Sequence, residues 1–599
     1  MRRSWLVRLF AILFAFSLIA ASCGDDDDDA GGDDGGVETT DSSDGADGSG
    51  GDSADDSSDD SADDSSDNSA DDSSDDGADD SSDDSADDGE AMGGNCDATQ
   101  AGTEVTMGMF SETRGLDPVV TSGSGVTGGI ENAAIYDVLL YWNPETAAYE
   151  GQTAESISSN DDFTVWTLTL KPDITFANGD PYDAEAVKFS IERFMDPENR
   201  SVNLGFVSKI ASIDVVDDLT LEFTLSDPWA GFPWVLADEP GMVVSPRAFE
   251  ELGAEELNLN PVDAGAGPYQ IDHFEPGNEI VLTARDNYWG GPVCIETLRF
   301  VRIAGAPATY EAYQNGELQA AFLREPRVIQ DARDNGDDAN SILAAQASGG
   351  LMLLNIGLGE STPVTRDVRL RQAIAYAVDP DFMNERANGG TGKPNKGILD
   401  PDLSRYWTEN QVPIPFDADK AAELVEEVKA DGINGEEPWD GTIRLACHNA
   451  PSRIDWAVAA QALLERVGFT VEVDNDGNIA DLITQIRANH DFDIACWGIN
   501  VHDSTITTAF ENRFRSTSGS NEVGLKDERM DAILDDFAVA QTDEDFKAAF
   551  DAMQELWNEI VPSVQYETVE EMIIFTPEVQ GVKQTQATII LFDDAYIAE

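Results

Sequence analysis

The sequence predicts an α/β protein of two or three domains carried behind a long acidic tether. Three observations lead there. Between residues 442 and 497 the apolar pattern runs strand, helix, strand, helix, strand in under sixty residues, the signature of a parallel sheet with crossover helices. In the first half, stretches such as "FTVWTLTLK" (163–171) and "TLEFTLSDP" (220–228) alternate apolar and polar residues, the period of a half-buried strand. Past the tether remain roughly 500 residues, more than one hydrophobic core accommodates, so the body divides.

At the amino terminus Arg2, Arg3 and Arg8 precede an apolar run over 9–21. At about 13 residues the run is short of the ~20 that a membrane-spanning helix needs, and residues 1–22 fit an export signal. The small residues Ala20, Ala21 and Ser22 before Cys23 suit cleavage. Residues 23–96 are mostly Asp, Ser, Gly and Ala, without Lys or Arg, so no core offsets the ordering entropy and a disordered tether is expected. Coil scaling gives roughly 45 Å end to end for about 70 such residues, and self-repulsion extends them. A calcium-binding tail is the competing reading, but the aspartates lack the Gly and Glu placement of a calcium loop.

The whole chain carries 35 basic and 118 acidic side chains, a formal net charge of −83. That balance argues against nucleic acid, whose phosphates need Lys and Arg. A solvated acidic surface suited to a saline habitat accounts for it, with a cationic ligand as the alternative. Beyond Cys23, the cysteines Cys96, Cys294, Cys447 and Cys496 suit two disulfides in an exported chain, with three pairings open. No CxxC pair occurs and the histidines are only His273, His448, His490 and His502, so neither a metal site nor a cofactor is expected.

Along the body, 104–109 reads as a strand and "RGLDPVV" (114–120) as a turn on Asp117-Pro118. "GSGVTG" (123–128) matches GxGxxG, but a proline turn precedes it where a dinucleotide site needs a buried strand. It reads as a glycine-rich loop opening a helix over 129–140. The strand at 163–171 puts Trp166, Leu168 and Leu170 on one face, and Asp183 caps a helix bearing Val187, Ile191 and Phe194 on one side. Residues 267–291 read as two strands around a Pro-Gly turn. In the parallel unit, strands at 442–447, 469–473 and 492–497 alternate with helices over 454–467 and 479–488. Ala460, Leu463, Leu464 and Val467 face inward on the first helix, and Leu482, Ile483 and Ile486 on the second. Ligands of such sheets bind at the carboxyl ends of strands, here Cys447 and "CWGINVHD" (496–503). Acidic amphipathic helices follow near 527–539 and 544–560.

"GLDP" (115–118), "WTLTLKPDITFANGDPYDAEAVKFSIER" (166–193), "GAGPYQIDHFEPGNEIVLTARDNYWG" (265–290), "LNIG…RDVRLRQAIAYAVD" (354–379), "VPIPFDADKAAELVEEV" (412–428) and "FDIACWG" (492–498) appear in order. Together they resemble the extracytoplasmic solute-binding proteins of the dipeptide and oligopeptide importer family, from about residue 104 to the end. The resemblance implies a two-lobed, periplasmic-binding-protein-like fold of type II, with an extra domain in the first lobe. By analogy, 97–145, 263–352 and 563–599 form the first lobe, 146–262 the extra subdomain and 353–562 the second lobe. Ala20-Ala21-Ser22-Cys23 resembles a bacterial lipobox, although Ala20 stands where leucine is commoner, which implies a lipid on Cys23.

The function so implied is a monomeric receptor, lipid-anchored on the extracytoplasmic face of the cell membrane. It captures a peptide or small solute by hinge closure and delivers it to an ABC importer permease. An exported hydrolase is the enzymatic rival, but no GxSxG, HExxH or Ser-His-Asp constellation occurs. A sensory or chaperone-like lipoprotein without a permease is the other rival. By analogy the cleft residues are Ser122, Gly123 and Ser124 from the first lobe and Cys496, Trp497, Gly498, Asn500 and Asp503 from the second. In the peptide receptors this tryptophan is followed three residues later by an aspartate that pairs with the peptide's α-amino group. Asn500 stands there instead, so amino termini should be poorly held unless Asp503 takes over. Cys447 and Cys496 end the first and third strands, adjacent in the usual order 2-1-3 and about 4.8 Å apart, which pairs them and leaves Cys96 with Cys294.

Overall fold

Trp166, Leu168 and Leu170 are buried along the strand Val165–Leu170, as their period of two requires, while the alternate residues are half-buried. That strand lies in a four-stranded antiparallel sheet with Ala154–Ser159, Thr220–Leu225 and Ile210–Asp217. The helix Ala184–Met195 belongs to the same core and begins at Asp183, whose carboxylate accepts from the Ala186 amide (3.0 Å). The computed structural model describes residues 103–598 except 110, 112, 122–126, 304, 344–347, 359–360 and 586–587. The export signal, Cys23, the tether and Cys96 therefore lie outside the described residues.

Two larger sheets form the lobes. The first has seven strands in the order Ser341–Leu343, Met572–Phe575, Ala320–Leu323, Glu104–Met109, Thr297–Arg302, Glu279–Ala284 and Tyr269–Glu275. Its last two strands are the hairpin read at 267–291, and Gly277 takes the left-handed φ of 79° that the turn requires. The second sheet runs Lys393–Pro394, Ser563–Thr568, Ser348–Leu354, Ile494–Val501, Thr442–Ala446 and Thr470–Asp474. Each sheet carries its own apolar core, and the four-stranded subdomain has a third. The chain is thus an α/β protein of two lobes, with a subdomain inserted in the first. Among the described residues no helix is long and apolar enough to cross a membrane.

Several expectations need correction. The strands Ser348–Leu354 and Ser563–Thr568 hydrogen-bond within the second sheet. The helix read over 129–140 stops at Tyr136, because Asp137 turns to a φ of 62° and the chain re-enters a strand at Leu140. The helix read over 479–488 is α-helical only over Ile479–Thr484 and continues as a π turn, Gln485–Asn489. Leu482 and Ile486 are buried as expected, but Ile483 remains 37% exposed.

The "GLDP" motif joins the first lobe to its subdomain. Arg193 Nη2 donates to Asp117 Oδ2 (2.6 Å), and both side chains are buried. Nearby, Glu131 accepts from the Thr113 hydroxyl (2.5 Å), while its other oxygen has no hydrogen-bond partner among the described residues. Burial pushes the Glu131 carboxyl up from its ordinary 4.5 to about 7, against the pull of the Thr113 bond. The folded state therefore holds a proton that the unfolded chain has released. Stability from this group is complete below pH 4.5 and is lost as pH rises toward 7, with no further change above. Urea unfolding midpoints of a Glu131→Gln variant should accordingly fall less steeply across that window than those of the parent. Parallel curves would contradict the shift.

Candidate functional site

The strands Thr442–Ala446, Thr470–Asp474 and Ile494–Val501 run parallel, with Thr442–Ala446 in the middle. Right-handed crossovers bring the residues after each strand to one edge of the sheet. Leu445 pairs with Ile494 and Ala446 with Ala495, so Cys447 and Cys496 come next in register. They are joined in a disulfide with a Cα–Cα distance of 5.2 Å. Cys294 is also disulfide-bonded.

A cavity of about 510 Å³ opens at this edge. The second lobe lines it with Cys496, Trp497 and Gly498, with His448 and Arg453 after the first strand, and with Thr508 and Arg513. The first lobe supplies Arg324, Glu571 and Thr588, and the subdomain supplies Val202, Asn203, Phe206, Trp234 and Asp238. The cavity is therefore the cleft between the lobes, a concave site whose wall mixes apolar side chains with many polar and charged ones.

Its charges are concentrated and mostly compensated. Arg324 pairs with Glu571 (3.1 Å). Behind Trp497, Arg487 and Arg513 share the buried Glu522, one on each carboxylate oxygen (2.7 and 2.6 Å). The Arg487 guanidinium lies 5.8 Å from the centre of the Trp497 ring. Arg453 differs. It stands in the first turn of the helix Pro451–Arg466, and among the described residues its side chain donates to the Tyr566 hydroxyl (3.2 Å) and meets no carboxylate at ion-pair distance. Burial and the neighbouring Arg453 hold the His448 imidazole below its ordinary pKa, which favours its neutral form. Among the described residues no group of three His, Cys, Asp or Glu side chains is placed to hold a metal ion.

Of the residues singled out in the sequence, Cys496, Trp497 and Gly498 meet in the cleft. Ser122, Gly123 and Ser124 lie outside the described residues. Asn500 lies in the strand Ile494–Val501, and its side chain is likewise outside them. Asp503 departs from expectation. Its carboxylate accepts from the Ser404 hydroxyl (2.8 Å) and the Arg405 amide (3.0 Å), pinning that turn, and burial raises its pKa. It lines a neighbouring cavity of about 570 Å³, which shares His502 with the cleft. Sequence reasoning missed Arg453, although the strand-end rule that flagged Cys447 covers the loop after it. The subdomain wall carried no comparable signal.

Residues 148–521 match the family described as bacterial extracellular solute-binding proteins, family 5 Middle. The glutathione-binding protein GsiB of Salmonella paratyphi A is 27% identical over 275 residues, which is 46% of this chain and 52% of that protein. The chain thus spans about half the length of the curated relatives it matches. NikA from Brucella suis in complex with Fe(III)-EDTA superposes with a TM-score of 0.68 at 21% identity, over 82% of this chain and 99% of NikA. The oligopeptide-binding protein AppA from Bacillus subtilis, in complex with a nonapeptide, superposes with a TM-score of 0.67 at 18% identity, over 84% of this chain and 100% of AppA. At such identities the superpositions establish the fold. The family match covers more than half of the chain, and the protein belongs to the bacterial extracellular solute-binding proteins of family 5, which are receptors and not enzymes.

Proposed function

We propose that the protein is an extracytoplasmic receptor, anchored by a lipid on Cys23, that closes its two lobes on a small carboxylate-bearing solute and delivers it to an ABC importer permease. Arg453 carries this reading. In a chain with 118 acidic residues and a net charge of −83, an arginine in the interlobe cleft faces, among the described residues, no carboxylate at ion-pair distance. Glu567 acts on Arg453 only through space, so a ligand carboxylate supplies a direct partner, which a guanidinium binds through two parallel hydrogen bonds. Contacts to both lobes then favour the closed form. Glutathione, named as the ligand of the Salmonella relative, is a peptide with two carboxylates, which fits such a cation. Asn500 brings no charge to offset an ammonium, so the amino end of a peptide contributes little.

Titration calorimetry with glutathione, short peptides and their carboxyl-terminal amides tests this. Free carboxylates bind, amidation weakens them by about 30-fold or more, and Arg453→Gln produces a similar loss. Equal binding of acid and amide, or tight binding abolished by acetylating the amino terminus, overturns it. The anchor is tested separately: a fatty-acid probe labels the parent chain and not Cys23→Ala, and a labelled variant refutes the lipid site.

A further inference from the structure

Val202 and Ile479 are exposed by 53% and 49%. Single exposed aliphatics are ordinary on any surface. These two come from different domains, Val202 from the inserted subdomain and Ile479 from the second lobe, and both line the same cleft. Beside Val202, the half-buried Phe206 also lines the cavity, and its ring meets Trp234 edge-on at 4.7 Å.

The subdomain is held against the second lobe next to this wall. Lys209 Nζ lies 3.3 Å from Glu511 and 4.9 Å from the centre of the Trp229 ring. The Ala230 amide donates to the Ala538 carbonyl (2.7 Å). Trp229 and Phe206 pack in a small space with Leu534 and Phe537. The inserted subdomain is therefore part of the cleft wall and is held against the second lobe by these contacts.

We propose that Val202 and Phe206, with Ile479 of the second lobe in the same cleft, form an apolar subsite contributed in part by the inserted subdomain. The solute is then an amphipathic anion whose carboxylate sits on Arg453 and whose apolar body lies against this wall. The proposal rests on the carboxylate reading of Arg453 and adds a specificity element to it. Its physical content is burial. Val202 and Ile479 retain much of their apolar surface in water, and a ligand body that covers both gains affinity in proportion to the area removed.

N-acetylphenylalanine and N-acetylglycine share a carboxylate and an amide and differ only in the benzyl group. Titrated into the full-length protein, the first should bind about tenfold or more tightly than the second. Val202→Ser and Ile479→Ser, at exposed positions that leave the fold intact by circular dichroism, should each reduce that preference several-fold while sparing N-acetylglycine. Arg453→Gln should weaken both acids by a similar factor. A preference that persists in both serine variants, or none in the parent, overturns the subsite and leaves the carboxylate reading standing. Failure of both acids to bind, or their indifference to Arg453→Gln, overturns the carboxylate reading and the subsite with it.

Discussion

Replacing Cys447 and Cys496 together by alanine should lower the unfolding free energy of the second lobe by about 4 kcal/mol, the chain-entropy value for the 49-residue separation they close. Both side chains are buried in the lobe's main core, so the loss of packing adds to that entropy. The double variant is a sharper test than reductant, because Cys294 is disulfide-bonded too and a thiol agent opens both bonds. Denaturant unfolding followed by tryptophan fluorescence measures the change, and a loss below about 1 kcal/mol contradicts it. The effect reaches the ligand as well. The bond holds the ends of two adjacent strands where Cys496 and Trp497 line the cleft, so a looser edge binds solute more weakly and exchanges its amides faster near 494–501.

The parallel unit was legible because all its information is local. Period-two strands, period-3.6 helices and short connections follow one another within 442–501, and handedness leaves essentially one way to wind them. Even the side-by-side placement of Cys447 and Cys496 followed from strand order. Pattern reading failed where the backbone leaves regular geometry. The π turn at Gln485–Asn489 inserts extra chain per turn, and Ile483, inward on a regular helix, stands partly in water. Asp137 in a left-handed conformation ends a helix whose apolar residues continue past it. The cleft was legible from one side only. Trp497 and Cys496 lie on a strand end that topology marks, whereas Arg453 stands out because, among the described residues, no carboxylate reaches ion-pair distance, which no linear pattern encodes. Asp503 shows the converse: spacing marked it as a ligand group, but a turn distant in sequence, Ser404-Arg405, occupies its oxygens.

Glu522→Gln should separate scaffold from site. Glu522 is 3% exposed and compensates two arginines, Arg487 at 53% exposure and Arg513 at 22%. Arg487 is well solvated, so water screens most of what it loses. Arg513 is not, and burial already lowers its pKa despite the carboxylate beside it. Removing the carboxylate leaves that half-buried guanidinium unpaired, so the cost falls below the ~3–5 kcal/mol of deleting one partner of a fully buried pair, because the cleft still hydrates it. Adding Arg513→Met should restore a large part of the loss, because the second change removes the uncompensated charge, and the non-additivity reports the pair's coupling. Losses that simply add would mean that the two side chains do not depend on each other. Binding should move the other way. Arg513 lines the cleft, and without Glu522 its charge is unopposed there, so a carboxylate solute binds Glu522→Gln at least as tightly as the parent once the protein is folded. A variant that is less stable, restored by Arg513→Met and undiminished in carboxylate affinity assigns Glu522 to the scaffold. A loss of affinity parallel to the loss of stability would instead make the Arg487–Glu522–Arg513 group part of the receptor's grip on its solute.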